Sequence, residues 1–462
     1  MERAATEDRR SGGMIAAVAL VQSWAVLLLV SGLVVALMAA PQHVGGVEDR
    51  ESGTPLMQAI SLGVYLPSLF FIAARPGSAL RVVARGWAYS LLLALAVASF
   101  AWSVQPDISL RRSMALLVAM LFVVHAASWF TPEQFIRQMA LIFALLLFLS
   151  IAAAAVPGYG IHPSGVHAGR WRGVMASKNT FGLLCGAAGI CYAVLYVKAK
   201  GLPRQRLLFA SMFCLALLLC FLSNARTPLI ALFAALIAMF FARLLFLPSA
   251  AQARLTMSLR VSLIAAAMSS VLVLLPMATA LILSLLGRSV TLTGRGKLWE
   301  YALDKGLDRP VLGAGYKTFW VDRITYDLRI FHQYWTVDGE PLQMTSNAHN
   351  GYLDAWLELG IPGLVLILLM FGITAFRANR TLATTRDPIY LWHVAAITFA
   401  SVYYLTNSYI LKHNELAWFI AAYAFYSLSA SHRRGPLRYS SQKEGVSPHS
   451  PPKFPDRPVR FT

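Results

Sequence analysis

Charge is scarce in this chain. Only 13% of its 462 residues are charged, against roughly 25% in an average soluble protein. Acidic residues are the rarer sign, 21 Asp+Glu against 40 Lys+Arg. Cysteine is nearly absent as well. Cys185, Cys191, Cys214 and Cys220 all lie in apolar segments without ligand spacing, which argues against a disulfide framework or a cysteine zinc site and for plain core packing. No Walker-type loop is present, so a nucleotide triphosphatase is not expected. No Asp-x-Asp, His-Glu-x-x-His or Cys/His pattern supports a metal site. The net charge of +19 would suggest nucleic acid in a soluble protein. Here no basic run is interleaved with aromatics on a soluble module, and no nucleic-acid partner is expected.

What fills the chain instead is apolar: 57% of residues are hydrophobic. Apolar runs approaching the ~20 residues that cross a bilayer fall near 14–40, 56–74, 87–104, 114–130, 139–156, 180–197, 207–222, 227–247, 261–286, 350–376, 389–406 and 415–431. The runs are continuous rather than alternating, so they read as helices, whose backbone groups pair within the segment. The expected fold class is an all-α polytopic membrane protein of about twelve spans with one long, partly helical loop on the outer side. The first run is too long for a cleaved signal sequence and reads as a retained anchor.

Lys and Arg then orient the bundle. With both termini cytoplasmic, short inner segments hold 17 Lys/Arg against 8 in short outer ones, as the positive-inside rule favours. The organisation expected is a cytoplasmic N-tail 1–13, nine spans over 14–286, an outer loop 287–349, three spans over 350–431 and a disordered basic cytoplasmic tail 432–462, rich in Pro, Ser and Arg. The long loop is not low-complexity. "GRGKLWEYALDKGL" sets Trp299, Ala302, Leu303 and Leu307 on one face of a short amphipathic helix, and "DRPVLGAGYKTFW" reads as a turn-rich connector with an aromatic end.

Cations on the outer side work against topology and invite another explanation. Arg226 lies in "FLSNARTPLIAL", a hinge of a few polar residues between two spans; it either snorkels to the headgroups or faces a cavity. Arg170, Arg172 and Lys178 cluster in "HAGRWRGVMASKNTFG", and Arg295 and Lys297 in "LTGRGKLW". Converging over one cavity they would suit phosphate or diphosphate, because arginine offers a bidentate fork; the competing reading is a set of solvated charges. His349 lies in "TSNAHNGYL" near the first turn of a helix, with Ser346 or Asn347 as N-cap candidates. The positive helix end and nearby arginines disfavour imidazolium there, which leaves a neutral general base or a simple interfacial hydrogen-bonding group. His43, His162, His167, His332 and His413 read as solvated loop residues.

The ordered set "RGVMASKNTFG", "SNARTPLIAL", "GRGKLWEYALDKGLDRPVLGAGYKTFW" and "SNAHNGYLDAWLELGIPG" resembles the O-antigen ligase/polymerase superfamily, in particular its ExoQ-like exopolysaccharide-polymerase branch, over roughly residues 100 to 430. The resemblance implies a metal-independent, cofactor-free glycosyltransferase of the bacterial inner membrane with a periplasmic active site. Its donor would be a glycan on undecaprenyl diphosphate and its partners a glycan acceptor, the bilayer, and candidate chain-length regulator and export proteins. By motif, His349 would be the base; Arg226 and Arg295 would contact the diphosphate or adjoining sugar. Arg172, Lys178 and Asn350 complete the expected substrate-binding set. Asn224 and Pro228 stand where relatives often carry small residues, which leaves the hinge geometry open. A ligase acting on a lipid A-core acceptor is the alternative within the class. A transporter or flippase is the alternative outside it, disfavoured by the lack of an internal repeat.

Overall fold

Proline marks where many of the helices begin. Its fixed φ suits the first helical turn, and its missing N–H falls where no intrahelical acceptor exists. The computed structural model describes residues 17–33, 55–164, 167–247, 295–321, 336–337, 340–341 and 347–430. After α1 (Ala17–Val30) come α2 (Pro55–Tyr65), α3 (Pro67–Ala74), α4 (Pro76–Arg85), α5 (Trp87–Ala98), α6 (Pro106–Trp129), α7 (Pro132–Ala154), α8 (Lys178–Lys198), α9 (Pro203–Ser223) and α10 (Arg226–Phe246). Then follow α11 (Arg295–Gly306), an antiparallel pair of two-residue strands β1 (Thr336–Val337) and β2 (Glu340–Pro341), α12 (Gly351–Thr385), α13 (Leu391–Tyr403) and α14 (Leu416–Ala430).

The architecture is that of a polytopic helical membrane protein. Among the described residues seven helical stretches, α2 with α3, α6 to α10 and α12, are long and apolar enough to cross a bilayer, or eight if α4 and α5, bent by 86°, count as one broken span; α1, α13 with its leading 3₁₀ turn, and α14 are shorter apolar helices. These segments coincide with every expected run except 261–286, which lies outside the described residues, as do the two tails and most of 287–349.

Burial sorts the helices. From Leu416 to Ser429 every residue of α14 is buried, as befits a helix that is apolar all round and surrounded by others. Phe135 of α7 stacks on Tyr423 at 4.0 Å between centroids, and Phe122 of α6 on Phe419 at 5.7 Å. The helix α8 is almost as enclosed, whereas α9 and α10 present most of their apolar surface outward. Cys185, Cys191 and Cys220 are buried and Cys214 is exposed on α9.

Polar residues collect at the two ends of the bundle. At one end Lys198, closing α8, pairs with Asp387 at 2.7 Å and Glu133 at 3.4 Å. About 30 Å away, at 1.5 Å rise per residue, the same helix starts at Lys178. Residues 295–321 and 347–350, the α9–α10 hinge and the α13–α14 connection gather at that second end.

A break in α12 shapes this end. Gly360 has φ +65°, where a Cβ would be strained and would collide with the Val311 carbonyl. Two residues on, Pro362 has no N–H to offer the Glu358 carbonyl. The segment 310–315 takes over the freed groups: Ala314 N donates to Leu357 O at 2.9 Å, Gly315 N to Glu358 O at 2.9 Å, and Ile361 N donates to Pro310 O at 3.2 Å. Its far side is held by Val104 N donating to Ala314 O at 3.0 Å and Trp102 Nε1 to Leu312 O at 2.9 Å. The expected turn-rich connector is therefore a clamp between the α5–α6 link and the first limb of α12.

The amphipathic helix forms as α11, but on a different face. Leu298, Tyr301 and Ala302 are fully buried, while Leu303 and Leu307 are 50% and 68% exposed. The helix lies against the short limb of α12, so a patch of one turn is covered and the expected longer stripe is not.

Candidate functional site

The sequence from Asn347 to Asn350 is held from three sides. Trp299 Nε1 of α11 donates to Ala348 O at 2.9 Å. Asp354 Oδ1 accepts from Ala348 N at 3.0 Å and from Trp320 Nε1 at 2.8 Å. Asn350 N donates to Ser408 Oγ at 2.9 Å. The N-cap of α12 is Asn350, whose Oδ1 accepts from the amides of Tyr352 and Leu353. Asn347 accepts from His349 N at 3.0 Å in an Asx-type turn. His349 thus lies before the helix and not in its first turn, with φ 52°, a left-handed conformation uncommon outside glycine and asparagine. Gly351 lets this start dock on the α13–α14 connection: its amide donates to Tyr404 O at 2.9 Å, and a Cβ would sit 2.9 Å from Asn407 O.

A second element is the hinge between α9 and α10. Asn224 closes α9 in the left-handed region at φ 50°, a role asparagine tolerates well. Pro228 is the third residue of α10, where an amide would have no intrahelical partner. Both residues fit the hinge. Arg226 opens α10, and Thr227 Oγ1 shares a 2.7 Å hydrogen bond with Thr406 Oγ1, tying the hinge to the end of α13.

The third element is the start of α8. Ser177 caps the helix through the Thr180 amide. Lys178 Nζ donates to Asn179 Oδ1 and to Asn224 O, both at 3.3 Å. The "KN" pair is therefore a strut between α8 and the hinge.

Together these elements enclose a cavity of about 260 Å³, lined among others by Arg170, Lys178, Asn179, Arg226, His349 and Thr406. Three of the expected site residues, Lys178, Arg226 and His349, meet there. Of the basic pair in "HAGRWRG", Arg170 lines the cavity and Arg172 does not. Arg172 instead donates from Nε to Tyr159 O at 2.7 Å and from Nη2 to Gly158 O at 3.2 Å, bracing the α7–α8 connection. Asn350 is the helix cap just described, not a lining residue. Arg295 opens α11; its side chain lies outside the described residues. Thr406 and Asn407 are contributed by "YLTNSYI", a weak polar break in an apolar run that carries no charge to draw notice.

The electrostatics are one-sided. No acidic residue occupies the first turn of α8, α10 or α11, where carboxylates would complement the positive helix end. Lys178 and Arg226 stand there instead. Cations stacked on helix N-termini are an unfavourable arrangement alone and a good one around an anion.

Beside this cavity lies a smaller one, lined among others by Arg112, Lys317, Trp320, Asp354, Tyr409 and His413. His413, expected as a solvated loop residue, is held down to about 4 by burial and then by Lys412, Arg112 and Lys317.

Comparison with known proteins covers part of these elements. Residues 207–368 match the family model for O-antigen ligase, a range that includes Arg226, Arg295 and His349 but not Arg170 or Lys178. Over 127 residues the chain is 30% identical to the exopolysaccharide production protein ExoQ of Rhizobium meliloti (strain 1021), covering 27% of this chain and 28% of that relative. The chain resembles the O-antigen ligase/ExoQ-like superfamily, and both matches support that placement.

Proposed function

We propose that the protein is a glycosyltransferase that joins glycans carried on undecaprenyl diphosphate, at the periplasmic face of a bacterial inner membrane. The observation that carries this reading is the convergence of Arg170, Lys178 and Arg226 with His349 in one cavity that no carboxylate among the described residues lines. A diphosphate ester fits that charge pattern, and a hydroxyl acceptor gives His349 a proton to take.

In the proposed step the acceptor hydroxyl attacks the anomeric carbon as its proton passes to the His349 imidazole. The new C–O bond forms while the bond to the diphosphate breaks, and the lipid diphosphate leaves with the electron pair. Arg226, Arg170 and Lys178 stand where that developing charge needs neutralising, and Arg295 is proposed as a further contact. Enough cations converge to make this step metal-independent, and direct displacement inverts the anomeric centre. Both termini are proposed to be cytoplasmic, with twelve spans in all.

Two reactions fit the same site. Polymerisation of repeat units is favoured by the likeness to an exopolysaccharide production protein; ligation to a lipid A-core acceptor is favoured by the O-antigen ligase match. Deleting the gene and extracting surface glycans separates them. Single repeat units left on the lipid diphosphate indicate a polymerase, and full-length glycan left there indicates a ligase. Normal glycans in the deletion strain would refute both. Reconstituted with lipid-linked repeat units, the wild type should form product in excess EDTA and the His349→Ala protein should not.

A further inference from the structure

The smaller cavity at the same end has the opposite chemistry to its neighbour. Among the described residues the larger one holds cations, amides, hydroxyls and the His349 imidazole, with neither a carboxylate nor a Phe, Tyr or Trp ring. The smaller one, of about 50 Å³, holds two carboxylates and several rings beside its cations. Asp354 and Glu358 are 3% and 4% exposed. They repel phosphate, but they accept hydrogen bonds from hydroxyl groups, while Trp320 and Tyr409 offer flat apolar faces.

The two cavities share a wall only a few residues thick. Asn347 and Ser408 face the smaller cavity; His349, Thr406 and Asn407 face the larger. The Asn347 side chain accepts from the His349 amide, and Ser408 from the Asn350 amide. The histidine therefore sits where the two spaces adjoin.

The Asp354 carboxyl is built into the wall of the smaller cavity. Its Oδ1 accepts from Trp320 Nε1 and Ala348 N, and the Ser408 hydroxyl stands against the same carboxyl, whose oxygens have lone pairs for a further donor. A divalent cation is a poor occupant, because Lys317 Nζ lies 3.4 Å from Glu358 Oε1 and Arg112 lines the same space. Lys317 itself is held at φ 59°, a strained backbone of the sort that marks binding sites.

We infer that the smaller cavity, formed by Asp354, Glu358, Trp320 and Tyr409, is a saccharide subsite that receives hydroxyl groups from one edge of the sugar next to the reacting bond. Its volume admits a few water-sized groups, so the ring itself lies across the mouth against the aromatic faces. This assignment rests on the reading of the neighbouring cavity as the diphosphate site.

The test uses the purified full-length protein in nanodiscs and two probes, inorganic pyrophosphate and the repeat-unit oligosaccharide freed from its lipid by mild acid, each titrated calorimetrically. Wild type binds both. Tyr409→Ala and Glu358→Gln should each weaken oligosaccharide binding by about 10-fold or more, the loss of roughly one buried charged hydrogen bond or ring contact, and leave pyrophosphate affinity unchanged; Tyr409→Phe, which keeps the ring, should bind the oligosaccharide normally. Arg226→Ala should do the reverse, weakening pyrophosphate alone. Oligosaccharide affinity that is unchanged in both variants, that falls together with pyrophosphate affinity, that requires a chelatable cation, or that is absent in wild type overturns the subsite. If pyrophosphate fails to bind wild type while Tyr409→Ala still weakens the oligosaccharide, the diphosphate reading fails and the saccharide subsite stands.

Discussion

The Lys178 ammonium donates to the Asn224 carbonyl at 3.3 Å, two residues before Arg226. One cation thus braces the hinge that carries the next, and each opens a helix whose positive end it does nothing to offset. Such placement serves a ligand better than it serves stability. Arg226→Gln should leave the melting temperature unchanged or slightly raised, since like-signed charge leaves a helix terminus. Product formation from lipid-linked donor should fall by about 10²–10³, the range for losing one preorganised charge-stabilising group. A parallel loss of melting temperature and activity would show the residue to be structural.

His349 carries a backbone constraint separable from its chemistry. Its left-handed φ costs an alanine roughly 1–2 kcal/mol, whereas asparagine adopts this region readily. His349→Ala should therefore lower both melting temperature and activity, and His349→Asn should lose activity at near wild-type stability. Turnover retained in the asparagine variant would remove the base from the proposed step.

Arg170 and Arg172, two residues apart, should behave differently. Arg172→Ala removes two hydrogen bonds to the carbonyls of Gly158 and Tyr159 and should lower thermal stability while pyrophosphate affinity holds. Arg170→Ala removes a lining cation and should weaken pyrophosphate about 10-fold, or 1.4 kcal/mol, with little change in melting.

The kink in α12 is testable by one methyl group. Gly360→Ala forces a Cβ into the left-handed region and against the Val311 carbonyl, so a loss of roughly 2 kcal/mol or more is expected from strain and overpacking together. Because that carbonyl belongs to the clamp that packs on α12, activity should drop as well. Unchanged melting would mean that α12 is straight in the protein.

Glu415 supplies a pH signature. Its Oε2 accepts from Tyr404 and from the Trp418 amide, yet burial pushes its carboxyl up from 4.5 to about 7. The folded state keeps the proton where the unfolded chain has released it. Its contribution to stability is complete below about pH 4.5 and is lost as pH rises through about 7. The difference in melting temperature between wild type and Glu415→Gln should follow that window. A difference that does not vary with pH would place the carboxyl in a more polar setting.

Much of the bundle was legible because bilayer-length apolar runs have few alternatives. The runs around α8 to α10, α13 and α14 sit within about four residues of where hydropathy put them, while α6 and α7 start earlier and α12 runs on longer. The structure brings Lys178, Arg226 and His349, which motif and charge single out, to one cavity. Sequence reasoning failed where neighbours decide. Arg170 and Arg172 share charge and context, and only the carbonyls of Gly158 and Tyr159 divert the second from the cavity. The face of α11 was misjudged because its partner is one short limb of α12. Asn350 looked like a ligand contact and is a cap, since the helix starts two residues beyond the histidine, at Gly351.

Composition and periodicity alone determined a helical chain built for a bilayer, because burying a backbone in lipid leaves helices as the economical solution for continuous apolar runs. They also determined that uncompensated cations gather in a few polar breaks. Which of those breaks share a cavity was decided only by tertiary structure. The Lys178 strut, the Thr227–Thr406 bond and the docking of Gly351 join segments 46, 179 and 53 residues apart in sequence. Such contacts depend on how helices pack, and no local pattern in the chain encodes them.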